Sequence, residues 1–303
     1  MIAPKQTNRW LIVLSFASTL FIQAGAQRAD PAPTQPASLT IKTSPNTIIW
    51  VDGLRYGAVP EGGELTIKNL SVGVRTVRAR LKGKREIAQT IKLTADSQQT
   101  IQLNLSAPVD KAELAFQTAE ELREKGKHEE AIKEYRLAIK LRSRAYPAAR
   151  IGLARSLMSS EEYDQAIAEA RRALREKPGP FPEAHTVIAN TKRTQGFYDE
   201  AIASYRTALT LARDFSPEAH TGIALAYQDR NRSEEAIKHL QKAVAQANDT
   251  EPILYFLLGS ALEREFLTKE AVVAYEKYLQ LAPQSNQAAA VRSVLRQLKR
   301  EIR

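Results

Sequence analysis

The 303-residue chain contains no cysteine. That absence excludes a disulfide framework, thiolate zinc sites, iron–sulfur ligation and a cysteine nucleophile. Histidine is scarce at four residues, which leaves little for imidazole-based metal or acid–base chemistry. There is no phosphate-cradling P-loop, no G-x-G-x-x-G and no Ser/His/Asp constellation, so the chain is expected not to be an enzyme and to need no metal or cofactor. Apolar runs of membrane-spanning length are missing too, with one marginal case near the N-terminus. What remains is 43% hydrophobic and 26% charged, enough to fold, and the length suits about two domains. The formal net charge is +10.

The N-terminus reads as an address. Met1–Arg9 carries Lys5 and Arg9 and no acid, Trp10–Ile22 is uncharged and mainly apolar, and Gln23-Ala24-Gly25-Ala26 supplies the small-x-small pattern of a signal-peptidase site. Residues 1–26 are therefore expected to be a signal peptide cleaved after Ala26, which sends the protein to the periplasm or beyond. The alternative is an uncleaved anchor, because Trp10–Gln27 is free of charge, but Ser15, Ser18, Thr19 and Gln23 dilute it. No cysteine follows that could carry a lipid anchor, and the lack of stray thiols suits an oxidising compartment. After cleavage no transmembrane segment is expected. Residues 27–37, rich in Ala, Pro and Gln, read as an extended linker.

From 38 to 106 the hydrophobic period is two. Leu39 and Ile41 alternate with Thr40 and Lys42, Thr47–Val51 runs into a strong Asp52-Gly53 hairpin signal, and Gly57, Pro60, Gly62 and Gly63 punctuate a loop. Further strands are expected at 64–68, 74–81, 86–93 and 100–105. Six or seven short strands predict a small antiparallel all-β sandwich with one core. Ser44-Pro45, Val51-Asp52-Gly53, Gly57 and Pro60-Glu61-Gly62 resemble the PEGA domain family, with Val59 where that family usually has Thr. The resemblance implies a non-catalytic module of exported and envelope proteins. Arg78, Arg80, Lys82 and Lys84 fall on one face of the 74–84 strand, opposite Val77, Ala79 and Leu81. They are either a stripe for an anionic wall polymer or lipid headgroup, or a solvated face that discourages edge pairing. Nucleic acid is not expected, since no aromatics interleave with the charges.

Beyond Pro108 a longer period appears. Ala131, Ala166, Ala201, Ala236 and Ala271 are 35 residues apart, each followed by Ile or Val. Ala119, Ala154, Ala189, Ala224 and Gly259 keep the same interval, as do Ala138, Ala173, Ala208 and Ala243 and also Pro147, Pro182, Pro217 and Pro252. Small residues let paired helices approach, while Tyr135, Tyr205, Leu240 and Tyr275 fill the space between pairs. Each Pro opens a helix, and Gly126 and Gly196 sit in turns. No single pair buries both faces, so stacking must supply the core. The pattern over 111–283 resembles the tetratricopeptide repeat family, with a unit one residue longer than usual. It implies an α-solenoid of five helix pairs. Ser285–Arg303 carries the stripe Ala288, Val291, Val294, Leu295, Leu298 and Ile302, expected to be a capping helix, the alternative being a free membrane-surface helix.

On the family pattern, the concave side of the array is lined by Phe116, Ile151, Thr186, Thr221 and Phe256, by Glu120, Arg155, Asn190, Leu225 and Ser260, and by Arg123, Met158, Arg193, Gln228 and Glu263. Arg155, Asn190 and Arg193 would form a polar centre. This mixture suits an extended peptide or a helix, so the expected function is an exported, non-enzymatic adaptor that grips a protein or peptide partner. A monomer is expected. The rival reading is an envelope glycan or wall-polymer binder acting through the β domain, with the repeats as spacer. His185 and His220 are one repeat apart, too distant to share a metal, and His128 and His239 read as isolated.

Overall fold

A computed structural model describes residues 37–106, 110–142 and 144–302. The expected signal peptide, its cleavage site at Ala26 and the linker up to residue 36 lie outside the described residues.

Among the described residues seven strands come first: β1 (Ala37–Lys42), β2 (Ile48–Val51), β3 (Leu54–Ala58), β4 (Glu64–Leu70), β5 (Gly73–Arg80), β6 (Ile87–Leu93) and β7 (Gln98–Gln102). They form a three-stranded sheet in the order β4-β1-β7 and a four-stranded sheet in the order β3-β2-β5-β6. Alternation decides what is buried. Leu39 and Ile41 from one sheet meet Ile49, Val51, Val77, Ala79, Ile91 and Leu93 from the other in a single core. The β2–β3 connection is the two-residue Asp52-Gly53 turn, with φ of 50° and 86°, the primed geometry that matches strand twist. Three expectations need correction. β1 and β7 run parallel, Leu39 opposite Gln99, because the whole second sheet intervenes and brings the chain back in the same direction. Gly57 lies within β3 rather than in a loop, and β5 ends at Arg80.

Eleven helices follow among the described residues. They pair as α1 (Lys111–Glu124) with α2 (His128–Leu141), α3 (Pro147–Ser159) with α4 (Tyr163–Glu176), α5 (Pro182–Thr194) with α6 (Tyr198–Leu211), α7 (Pro217–Gln228) with α8 (Ser233–Ala247), and α9 (Ile253–Arg264) with α10 (Thr268–Leu281). The Asp110 carboxylate caps α1 by accepting from the Glu113 N–H at 2.8 Å. Pro147, Pro182 and Pro217 start their helices, whereas Pro252 sits just before α9 as its cap residue. The turn inside each pair needs one left-handed residue, and the 35-residue spacing places Gly126, Glu161, Gly196, Asn231 and Phe266 there, with φ between 55° and 85°. Glycine meets that need at no steric cost; Phe266 does not, and its ring is 90% exposed.

Stacking between pairs depends on matched sizes. The Tyr135 ring lies over Gly152 of the next pair, and the Tyr205 ring over Gly222; a Cβ on either glycine would stand 2.4 Å or less from the ring. Where the second-helix residue is Ala170, the facing first helix supplies Val187 to the same buried cluster. The last exposed flank is closed by α11 (Ala288–Glu301), which buries Val291, Leu295 and Leu298 in the core of the terminal pair. That apolar face is occupied, so α11 is a cap and not a free membrane-surface helix.

Candidate functional site

Successive first helices touch one another, α1 with α3, α3 with α5, and α5 with α7, so they form the inner face. The residues expected there divide into two groups. Phe116, Ile151 and Thr186 are buried. Phe116 packs against the Tyr135 and Tyr146 rings, and the Thr186 hydroxyl bonds the Pro182 carbonyl at 3.1 Å. These three belong mainly to the packing and show only at the wall of the cavity under the β domain. Phe256 is likewise partly claimed by the Tyr275 and Tyr278 rings. Met158, Asn190, Arg193, Thr221, Leu225 and Gln228 remain half-buried on the inner side, as does Arg155.

The polar centre is assembled by acids that the sequence reading passed over. Glu218, at the start of α7, accepts from Arg155 Nη2 at 3.0 Å with one oxygen and from Asn190 Nδ2 at 3.0 Å with the other. Arg193 pairs with Asp229 at 3.2 Å. From beneath, the Tyr205 hydroxyl donates to Asn190 Oδ1. Burial raises the Tyr205 pKa, so that hydroxyl keeps its proton. The same device recurs in the first and last pairs, where the Tyr135 hydroxyl donates to Glu120 and the Tyr275 hydroxyl donates to Glu263 at 2.7 Å. Second-helix tyrosines therefore fix first-helix polar groups from behind. Arg155, Asn190 and Arg193 do come together with acids, but as an internally paired network. A partner must exchange for these bonds rather than fill vacant ones.

The basic stripe of the β domain is not an open face. Lys82 and Lys84 lie in the turn after β5, where the Lys84 N–H closes onto the Leu81 carbonyl at 3.0 Å. Arg80 is 8% exposed. Its guanidinium bonds Glu86 at 2.7 Å and reaches Glu120 of α1 at 3.2 Å, lying over the Trp50 and Phe116 rings. Arg78 stacks on Trp50 and leans toward Glu86 at 3.6 Å. Lys82 pairs with Glu121 at 2.8 Å. Glu120 and Glu121 of the first helix thus take Arg80 and Lys82, and Glu86 takes Arg78. Despite its burial, Glu120 is held down to about pKa 2 by Arg123 and Arg80 and by the Tyr135 hydroxyl.

Between the β domain and the inner face is a cavity of 560 Å³. Trp50, Arg55 and Arg78 line it from one side, and Ile151, Phe181, Thr186 and Phe215 from the other. Its charges are mixed and largely paired.

The histidines also differ from expectation. His239 is not isolated: its Nδ1 lies 3.0 Å from Nδ1 of the fully buried His220. The His220 Nε2 faces the Asp214 carbonyl at 3.2 Å, which places the proton on Nε2 and leaves Nδ1 to accept from His239. Residues 19 apart on neighbouring helices carry no sequence signature that could announce this pair. His185 stands apart from the pair.

Tetratricopeptide-repeat family models match residues 122–191, 182–249 and 221–286, together more than half of the chain. The chain belongs to the tetratricopeptide-repeat family. Solved structures share the fold. A thermophilic tetratricopeptide-repeat protein of Thermus thermophilus aligns with a TM-score of 0.52 at 17% identity, over 62% of this chain and 98% of that one. PilF of Pseudomonas aeruginosa aligns with a TM-score of 0.50 at 17% identity, over 59% and 80%. A chain of the APC/C hetero-tetramer Cut9–Hcn1 gives 0.52 at 14% identity, over 62% of this chain and 36% of that one. At these identities the likeness is one of fold. No curated protein sequence matches. Among the described residues, no helix of this tetratricopeptide-repeat protein is long and apolar enough to cross a membrane.

Proposed function

We propose that this protein is a non-enzymatic adaptor of the bacterial envelope, exported by a signal peptide cleaved after Ala26, whose inner repeat face binds a protein or peptide partner. The tetratricopeptide fold points to a protein-interaction scaffold. The observation that supports the finer reading is the half-exposed band of Asn190, Arg193, Leu225 and Gln228, in which tyrosine-backed polar groups flank an aliphatic side chain. Such a band offers hydrogen bonds to an extended backbone and a small apolar seat, with little rotamer freedom left to lose. Partner acids would compete with Glu218 and Asp229 for Arg155 and Arg193. The β module is assigned as PEGA-like on its Val51-Asp52-Gly53 turn and Pro60-Glu61-Gly62 segment, and the protein as a monomer.

A photo-crosslinker at Gln228 in cells should trap a defined adduct that a crosslinker at exposed Lys238 does not. Identical adduct patterns at the two positions, or no adduct at either, count against the inner face. The wall-polymer reading loses its main support because Arg80 and Lys82 are paired with α1. It regains ground only if the full chain sediments with purified wall material and a Lys84→Ser/Arg85→Ser variant does not.

A further inference from the structure

The two surfaces that the sequence offers for binding meet each other. The turn after β5 sits on α1 through more than charge. Gln117, 5% exposed, accepts from the Gly83 N–H at 2.9 Å and donates to the Lys84 carbonyl at 2.7 Å. One side-chain amide therefore reads the turn's backbone in both directions, which fixes position as well as contact. Arg80 on Glu120 and Lys82 on Glu121 flank this pair. Far along the array, the Asn248 amide at the end of α8 donates to the Lys68 carbonyl at 3.0 Å, and the Arg75 guanidinium lies over Phe215 at 5.2 Å. The β module thus touches the first pair and the fourth, with the cavity over α3 and α5 between.

The two ends differ in character. The α1 end has buried reciprocal hydrogen bonds and two ion pairs. The α8 end is held by neutral hydrogen bonds from the Asn248 side chain to the Lys68 carbonyl and the Tyr56 hydroxyl and by one cation–π contact, each weak in water. A lid held so unequally opens first at its weak end, and only release of the strong end frees it from the inner face altogether. Ion pairs whose partners are partly solvated weaken with salt and yield to competing cations.

We propose that the β module is a resident occupant of the inner face, a lid that Arg80 and the Lys82–Lys84 turn latch onto Glu120, Glu121 and Gln117 of α1. Release of the latch by a competing basic segment or by salt uncovers the first helices of the first three pairs. Closed, the protein presents only the band around Asn190 and Gln228. Opened, it presents a longer groove that runs back to α1. The consequence for partners rests on the reading of the inner face above, but the latch is measured without any partner, so either can fail alone.

The experiment uses the full chain. Hydrogen exchange at Gly83 and the radius of gyration from small-angle scattering are compared for wild type, Gln117→Ala, Lys82→Glu and the charge swap Lys82→Glu/Glu121→Lys. Gln117→Ala and Lys82→Glu should each speed Gly83 exchange by about tenfold or more, the worth of one or two hydrogen bonds. They should also increase the radius of gyration. The swap should restore both. Wild type should open on moving from low to high salt. Gly83 exchange and dimensions unchanged in Gln117→Ala overturn the latch. So does a charge swap that stays as open as Lys82→Glu, because pairing would then not be what holds the lid. Gln117→Ala leaves every charge in place, which keeps the test decisive if a charge variant misfolds.

Discussion

Size matching between Tyr205 and Gly222 can be tested by exchanging it for the matching used one repeat earlier. A Cβ at Gly222 would stand 2.1 Å from Tyr205 Cζ and 2.4 Å from its hydroxyl oxygen. The ring cannot retreat cheaply, since it is fully buried and its hydroxyl is bonded to Asn190. Gly222→Ala would gain about 1 kcal/mol of helix propensity. Overpacking costs about 1–3 kcal/mol, and losing the Tyr205–Asn190 bond about 1 kcal/mol more, so the clash wins and the variant is destabilised. Gly222→Val should cost more still. Tyr205→Ala should cost about 3–5 kcal/mol through its cavity. The double variant Tyr205→Ala/Gly222→Val recreates the Ala170/Val187 combination already present in the chain, and each change relieves the defect of the other. The expected coupling is at least about 2 kcal/mol in favour of the pair. Urea unfolding of the four proteins measures it, with equal m-values as the check that the array still unfolds as one unit. Additivity within about 0.5 kcal/mol, or a Gly222→Ala variant more stable than wild type, would refute the size-matching argument.

Acid should weaken the fourth repeat before it weakens the latch. Burial lowers both His220 and His239, the latter to about 4, so between about pH 6.5 and 4 the unfolded chain binds more protons. Stability is full above that window and falls through it, by up to about 2 kcal/mol once the half-exposure of His239 is discounted, and His239→Leu should flatten the loss seen in thermal melts across the window. Glu120, held near 2, gives up its contribution only below about pH 4.5. Phe266→Gly removes a bulky residue from a φ of 55° and should raise stability by about 0.5–1 kcal/mol in the same melts. Leu295→Ala, in the buried face of α11, should cost about 2–4 kcal/mol by urea titration, and a neutral result would mean that α11 does not close the core. Mass spectrometry of the exported protein should find Gln27 at its N-terminus; an intact Met1 contradicts cleavage.

Much of the helical architecture was legible because each of its requirements recurs. Ala131 and its four counterparts mark a contact that admits no larger side chain, and a constraint repeated every 35 residues stands out from a single sequence. The left-handed turn shows how far such reading goes. Gly126 and Gly196 announce it, while Glu161, Asn231 and Phe266 adopt the same conformation unannounced, because the stacked helices impose it on whatever residue falls there. Gly152 and Gly222 were legible in principle. Two glycines inside helices, 70 residues apart, match the spacing of Tyr135 and Tyr205, but the signal has twice the obvious period. In the β domain, alternation and Asp52-Gly53 yielded strands and a hairpin, yet not the parallel β1–β7 pairing, which depends on how the sheets close and leaves no local mark.

The surroundings of the two candidate surfaces were not legible for a related reason. Periodicity identifies which residues share a face; it does not say what the face meets. Arg78, Arg80 and Lys82 look like an anionic-surface stripe when β5 is considered alone, and Glu120 looks like an open groove residue when the repeats are considered alone. Arg80 and Glu120 are 40 residues apart in sequence, and the fold sets each against the other. Burying Arg80 among Glu86, Glu120 and two aromatic rings costs desolvation that only a nearly complete set of partners offsets, so truncating one partner is far more damaging than losing the pair. That asymmetry gives the contact specificity: without Glu120 and Glu86 opposite it, the buried Arg80 guanidinium would be left uncompensated. The same logic applies to Glu218, whose two oxygens are both taken by Arg155 and Asn190. A groove whose charges are already paired discriminates by exchange, and it favours a partner that returns every hydrogen bond it breaks.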